Sequence, residues 1–122
     1  MKILVVEDDE VTRELMRKAL ERRGYGVSVA EDGIAGYELA LSERPDLIIT
    51  DIRMPAADGA HLVRRVRDTS KLASTPILVT TGYGTGSAAL TLSQGADAYE
   101  PKPVDPAALL ATVRRLLSAG GE

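Results

Sequence analysis

An α/β domain built around a parallel sheet is the fold class this sequence of 122 residues predicts. Two observations carry the prediction. Short apolar runs alternate with segments whose apolar residues recur at helical spacing, the pattern of strand–helix–strand units. One of those runs, LIIT at 47–50, is apolar on both faces, as a central strand covered by helices above and below must be. The length favours a single domain and suffices for a real core.

The elements follow in order. ILVV (3–6) is the first strand and runs into Glu7 and Asp8. Asp9 is placed to cap a helix in which Val11, Leu15, Ala19 and Leu20 recur at helical spacing up to Gly24. Gly26–Ala30 alternates apolar with small or polar residues, as an edge strand does. A second helix from about Ile34 to Ser42 stops before Pro45. LIIT then runs into Asp51. Leu62, Val63 and Val66 define a short third helix, and Pro76 precedes ILVT (77–80), which runs into Thr81. A weak helix is expected over Ser87 to Gln94. The short run Ala98-Tyr99 is followed by Lys102-Pro103. In the final helix Asp105 is the cap, Pro106 sits in the first turn, and Leu109, Leu110, Val113, Leu116 and Leu117 form the buried stripe. The chain divides into one domain over 1–119 and a frayed tail over 120–122.

Composition removes several function classes. With no cysteine, disulfides, thiolate metal sites and thiol catalysis are excluded. Net charge is −3 at pH 7, which argues against direct nucleic-acid binding, since neutralising phosphates needs a basic surface. Arg22-Arg23, Arg64-Arg65 and Arg114-Arg115 read as solvated helix faces. The apolar run after Met1-Lys2 is too short for a signal peptide or a membrane span, so a cytoplasmic location away from membranes is expected. There is no Phe and no Trp, so the core must be aliphatic, with four tyrosines as its only aromatic rings.

Strand ends of an open parallel sheet point to one rim, which gathers Glu7, Asp8, Asp51, Thr81 and Lys102 into one pocket. Carboxylates about 4 Å apart repel by roughly 1 kcal/mol in water and by about 4 kcal/mol at an intermediate dielectric. Protonation or a bound cation relieves that repulsion. Hard oxygen donors left partly open to solvent suit Mg²⁺, which favours one or two carboxylates, several waters and a phosphate. A carboxylate can also act as a nucleophile and form an acyl phosphate. Asp51 is the best candidate because it ends the most apolar strand. Lys102 would then neutralise phosphate charge and the Thr81 hydroxyl would bond a phosphate oxygen. Taken singly, each residue has a plainer reading, with Asp8 or Asp9 capping a helix and Asp51 opening a loop.

Together, ILVVEDDEVTR, LIITDIRMPAADG, PILVTTG and DAYEPKP, in that order, resemble the receiver domain of two-component response regulators, chemotaxis receivers included, over nearly the whole chain. The resemblance implies a flavodoxin-like, doubly wound, five-stranded parallel sheet of order 2-1-3-4-5 flanked by five helices. It implies Asp51 as phosphoacceptor, Asp8 as direct Mg²⁺ ligand with Glu7 acting through water, and the Arg53 backbone carbonyl as a further ligand. Lys102 is then the phosphate-pairing lysine, Thr81 and Tyr99 the switch pair, and Lys102-Pro103 a cis peptide. The implied partners are a sensor histidine kinase or histidine phosphotransfer protein upstream, and an effector or an output domain outside this chain downstream. Such a domain is a self-phosphorylating and self-dephosphorylating switch rather than a metabolic enzyme.

The chain also departs from the family pattern. Ala57 stands where Met is common, read as packing variation. The stretch after Thr81 is short and carries Gly82, Gly84 and Gly86, while 87–94 has no charged residue, which disfavours dimerisation through charged pairs there and leaves partner docking as an alternative. Arg53 and Tyr83, each two residues beyond Asp51 and Thr81, are large enough to shield an acyl phosphate. His61 reads as a surface helix residue. Two other function classes compete: a phosphorylation-independent pseudo-receiver, and a Mg²⁺-dependent aspartyl phosphohydrolase, which generally needs a second acid where Arg53 stands.

Overall fold

The computed structural model describes residues 1–52, 59–81 and 95–120. Five strands, β1 (Lys2–Val6), β2 (Gly26–Ala30), β3 (Leu47–Asp51), β4 (Ile77–Thr81) and β5 (Ala98–Pro101), form one sheet of order β2-β1-β3-β4-β5. Every pairing is parallel. Helices α1 (Glu10–Glu21), α2 (Gly33–Glu43), α3 (Gly59–Asp68) and α4 (Pro106–Gly120) connect or follow the strands. The fold is therefore the expected flavodoxin-like doubly wound sheet, with four helices among the described residues. The helix expected over 87–94 lies outside the described residues, as do Arg53, Ala57 and Tyr83.

Strand alternation sorts the core into two layers. Ile3, Val5, Leu47, Ile49, Leu78 and Ala98 face α1 and α4, meeting Met16, Leu20, Leu109, Val113 and Leu117. Leu4, Val6, Ile48, Ile77 and Val79 face the other way, meeting Ala40 of α2 and Leu62, Val63 and Val66 of α3. β3 is buried along its whole length, as the apolar run LIIT requires. On the α2 side a Cβ at Gly36 would come within 2.8 Å of a Val6 methyl, so the absent side chain sets how closely that helix lies on β1.

The helix ends follow local chemistry. Asp9 caps α1, accepting from the Thr12 amide at 2.9 Å, and Asp32 caps α2, accepting from the Ala35 amide at 2.8 Å. α2 ends at Arg44, which turns left-handed (φ 49°) ahead of Pro45. The residues that recur at helical spacing in α1 differ in burial. In α1 the stripe of Val11 and Leu15 faces solvent, 76% and 42% exposed, and the fully buried positions are Met16 and Leu20. A helix can bury only one broad stripe, and β1 and α4 cover the side carrying Met16.

Candidate acceptor site at the sheet rim

β1 and β3 are hydrogen-bonded neighbours, with Val6 opposite Thr50, so the residues leaving their C-terminal ends emerge side by side. Glu7 follows Val6 and its amide donates to the Ala30 carbonyl at 3.0 Å, holding the chain in line with the sheet for one residue beyond β1. Its side chain is fully buried, while Asp51 is 7% exposed and Asp8 faces solvent. One carboxylate oxygen from each of Glu7, Asp8 and Asp51 lies within 4.8 Å of the others.

Lys102 follows β5 directly, past Pro101, and enters the site from the far side of the sheet. Its ammonium lies 2.9 Å from Glu7 Oε1 and 2.9 Å from Asp51 Oδ2. The Lys102-Pro103 peptide is cis. The Asp9 amide donates to Glu7 Oε2 at 3.1 Å, while Oε1 is held by the ion pair with Lys102 without a well-aligned hydrogen bond. Arg13, one turn into α1, reaches back to donate to the Glu7 carbonyl at 2.9 Å.

Electrostatics match this geometry. Burial pushes the Glu7 carboxyl above the usual carboxylate range, the bonds from Lys102 and the Asp9 amide oppose it, and the charge on Asp51 adds to the rise. Burial works to lower Lys102, but its bonds to Glu7 and Asp51 outweigh it and hold the ammonium above the ordinary lysine range. The helix-capping bonds from Thr12 hold Asp9 below its usual value, so that acid serves α1 rather than the cluster.

The donor set fits a small hard cation. Three carboxylate oxygens within 4.8 Å of one another are spaced closely enough to share one such ion. Carboxylate oxygens without sulfur or imidazole suit Mg²⁺ over softer metals.

The remaining expected site residues divide. Thr81 ends β4 opposite Pro101 of β5, and its side chain is outside what is described. Tyr99 lies on edge strand β5 with its side chain 38% exposed. Arg53 is not among the described residues. His61 is exposed on α3. Sequence reasoning did not single out Arg13, whose role depends on a side chain folding back along the helix. It also passed over Thr80, although counting alternate residues back from Asp51 and across to β4 would have found it.

The sequence profile of the response regulator receiver domain matches residues 3–114. The response regulator MprA of Mycobacterium avium is 42% identical over 118 residues, which are 96% of this chain and 51% of that protein. The chain thus spans about half the length of the curated relatives it matches. Among solved structures, chemotaxis protein CheY4 of Vibrio cholerae aligns with a TM-score of 0.89 at 34% identity, covering 94% of this chain and 97% of that one. The receiver domain of sensor histidine kinase PA1611 from Pseudomonas aeruginosa, solved with magnesium coordinated in its active-site cleft, aligns with a TM-score of 0.89 at 30% identity over 96% of this chain and 97% of that one. The acidic rim, the lysine that enters it from beyond β5 and the strand order therefore belong to a member of the response regulator receiver domain family.

Proposed function

We propose that this domain accepts a phosphoryl group on Asp51 from a phosphohistidine donor and thereby changes the face that a downstream partner reads. The domain unit is residues 1–119, and the output is an effector protein or a further domain beyond this chain. The observation that carries the reading is Lys102, whose ammonium is bonded to Asp51 Oδ2 at 2.9 Å beside two further acids. An isolated surface lysine would do nothing of the kind. Here it sits where charge must be neutralised as an incoming phosphoryl group approaches a carboxylate.

In the reaction, a carboxylate oxygen of Asp51 forms a bond to phosphorus as the bond from phosphorus to the donor imidazole nitrogen breaks. The electron pair stays on that nitrogen, which takes up a proton from solvent. Asp8, Asp51 and the Arg53 carbonyl, with Glu7 through water, would hold a Mg²⁺ ion, which when bound would supply charge neutralisation for the transferring group. Lys102 turns its positive charge from Asp51 to the phosphoryl oxygens. The buried Glu7 carboxylate, fixed by the Asp9 amide, keeps Lys102 near the site during the exchange. Thr81 and Tyr99 then form the pair that carries the change to the surface, and Arg53 and Tyr83 shield the product from water.

Incubation with Mg²⁺ and a small acyl phosphate should add one phosphoryl mass to the wild-type chain. Asp51→Asn should take up none. Equal incorporation by the variant would remove Asp51 from the role, and a wild-type chain that stays unlabelled while still binding its partner would be a phosphorylation-independent module.

A further inference from the structure

Thr80 is fully buried, and its hydroxyl has no hydrogen-bond partner among the described residues. Such a group is costly in a folded protein and calls for a reason. Its location supplies one. β4 residues of even number face α1 and α4, since Leu78 packs with Met16, Leu109 and Val113. β3 residues of odd number face the same way, since Leu47 and Ile49 join that cluster. Asp51 and Thr80 are directly paired across β3 and β4, so they lie on one face at one level. Neighbouring strands are about 4.8 Å apart, so Thr80 is the residue directly beside Asp51 on that face, although its hydroxyl does not bond to the carboxylate in the unmodified site. On its other side Thr80 is paired with Glu100 of β5, whose carboxylate accepts from Thr112 of α4 at 2.6 Å.

We propose that Thr80 is a positioning residue for the acceptor, one whose hydroxyl gains its hydrogen bond when Asp51 is derivatised. This rests on Asp51 being the acceptor. In the unmodified site Lys102 is bonded to Asp51 Oδ2. A phosphoryl group, with more charge and three terminal oxygens, draws Lys102 away from that oxygen. The acceptor carbonyl then loses a donor, and Thr80 is the buried donor at its level that has none to give up. Glu100 is the other acid beside Thr80. It is half-exposed, already bonded by Thr112, and its charge does not change in the reaction, so nothing in the switch transfers it to Thr80. The hydroxyl thus favours the modified form over the unmodified one, because only there is its burial compensated.

The test uses beryllofluoride, a tetrahedral phosphoryl mimic that bonds to a carboxylate oxygen, with Mg²⁺ present, and follows binding by thermal shift and calorimetry. Thr80→Val keeps the shape and removes the hydroxyl; Thr80→Ser keeps the hydroxyl. Unligated Thr80→Val should melt no lower than wild type and respond normally to Mg²⁺ alone, yet bind beryllofluoride roughly five- to tenfold more weakly, the loss of one hydrogen bond to a neutral carbonyl. Thr80→Ser should restore wild-type affinity. Equal affinity in Thr80→Val, or equal losses in Val and Ser variants, would overturn the proposal. So would the same loss from Glu100→Gln, which would make Glu100 the partner. A wild-type chain that does not bind beryllofluoride at all would instead overturn the acceptor reading and this one with it.

Discussion

One ammonium serves two carboxylates at the rim, and burial shifts the titration of the deeper one, Glu7. Burial raises the Glu7 carboxyl above its ordinary value, so over the interval between those values the folded chain holds a proton that the unfolded chain has released. Metal-free stability contributed by this group is full below the ordinary glutamate range and declines as pH rises through the folded value. Thermal melts in chelator from pH 4 upward should show that decline, and Glu7→Gln should flatten it. A slope unchanged by the substitution would mean that Glu7 titrates normally. The acids were legible in the sequence because the strand ends named them. Their ranking was not, because which carboxylate lies under the others depends on Glu7 continuing the line of β1 while Asp8 turns out to solvent.

At the scale of elements, α1 shows how far spacing alone reaches. Val11 and Leu15 stand four residues apart, and so do Met16 and Leu20; either stripe predicts the helix, and only the packing of β1 and α4 decides which is buried. The stripe left out has a use. Val11, Thr12 and Leu15 line a groove with Lys102, Pro103 and Val104, and Lys102 is bonded to Asp51. Under the proposed function, a phosphohistidine-bearing donor that brings its ring to Asp51 would settle on this apolar surface beside the rim. Serine at both Val11 and Leu15 should cut the rate of transfer from a protein donor roughly tenfold, as expected for losing about 1.4 kcal/mol of apolar contact. Labelling by a small acyl phosphate, which needs no docking, should be unchanged. Equal loss with both donors would place the defect in the site rather than the surface. The strands were easier to read than the helices because β3 must be apolar on both faces, whereas a surface helix carries some apolar residues outward.

For the molecule as a whole, the sheet has two unlike ends. The C-terminal ends of the strands carry the acids and Lys102. At the opposite end a single guanidinium ties the return path together. Arg67 of α3 donates to the carbonyls of Gly95 at 2.9 Å, Ala73 at 3.1 Å and Thr75 at 2.6 Å, and pairs with Asp97 at 2.8 Å. Asp97 in turn accepts from the Ile77 amide at 2.8 Å, where β4 begins. Arg67→Ala should lower stability by roughly 2–3 kcal/mol, because carbonyls around a partly buried charge lose their donor. Arg67→Lys should recover little, since an ammonium lacks the fork that reaches several carbonyls at once. Urea melts would measure both, and a loss below about 0.5 kcal/mol for Arg67→Ala would show that water replaces it. Nothing in the sequence marked Arg67, because its partners lie in loops that only the folded sheet brings together. The core without phenylalanine or tryptophan also has an optical consequence. Emission from this protein comes from phenols alone, four at most, and Tyr37 is already fixed beneath the Arg65 guanidinium at 3.8 Å and bonded to Thr69. Tyr99, on the outer strand, is freer to report, so a change in near-ultraviolet fluorescence on loading the rim can be traced to very few rings, and one indole introduced anywhere would shine without background.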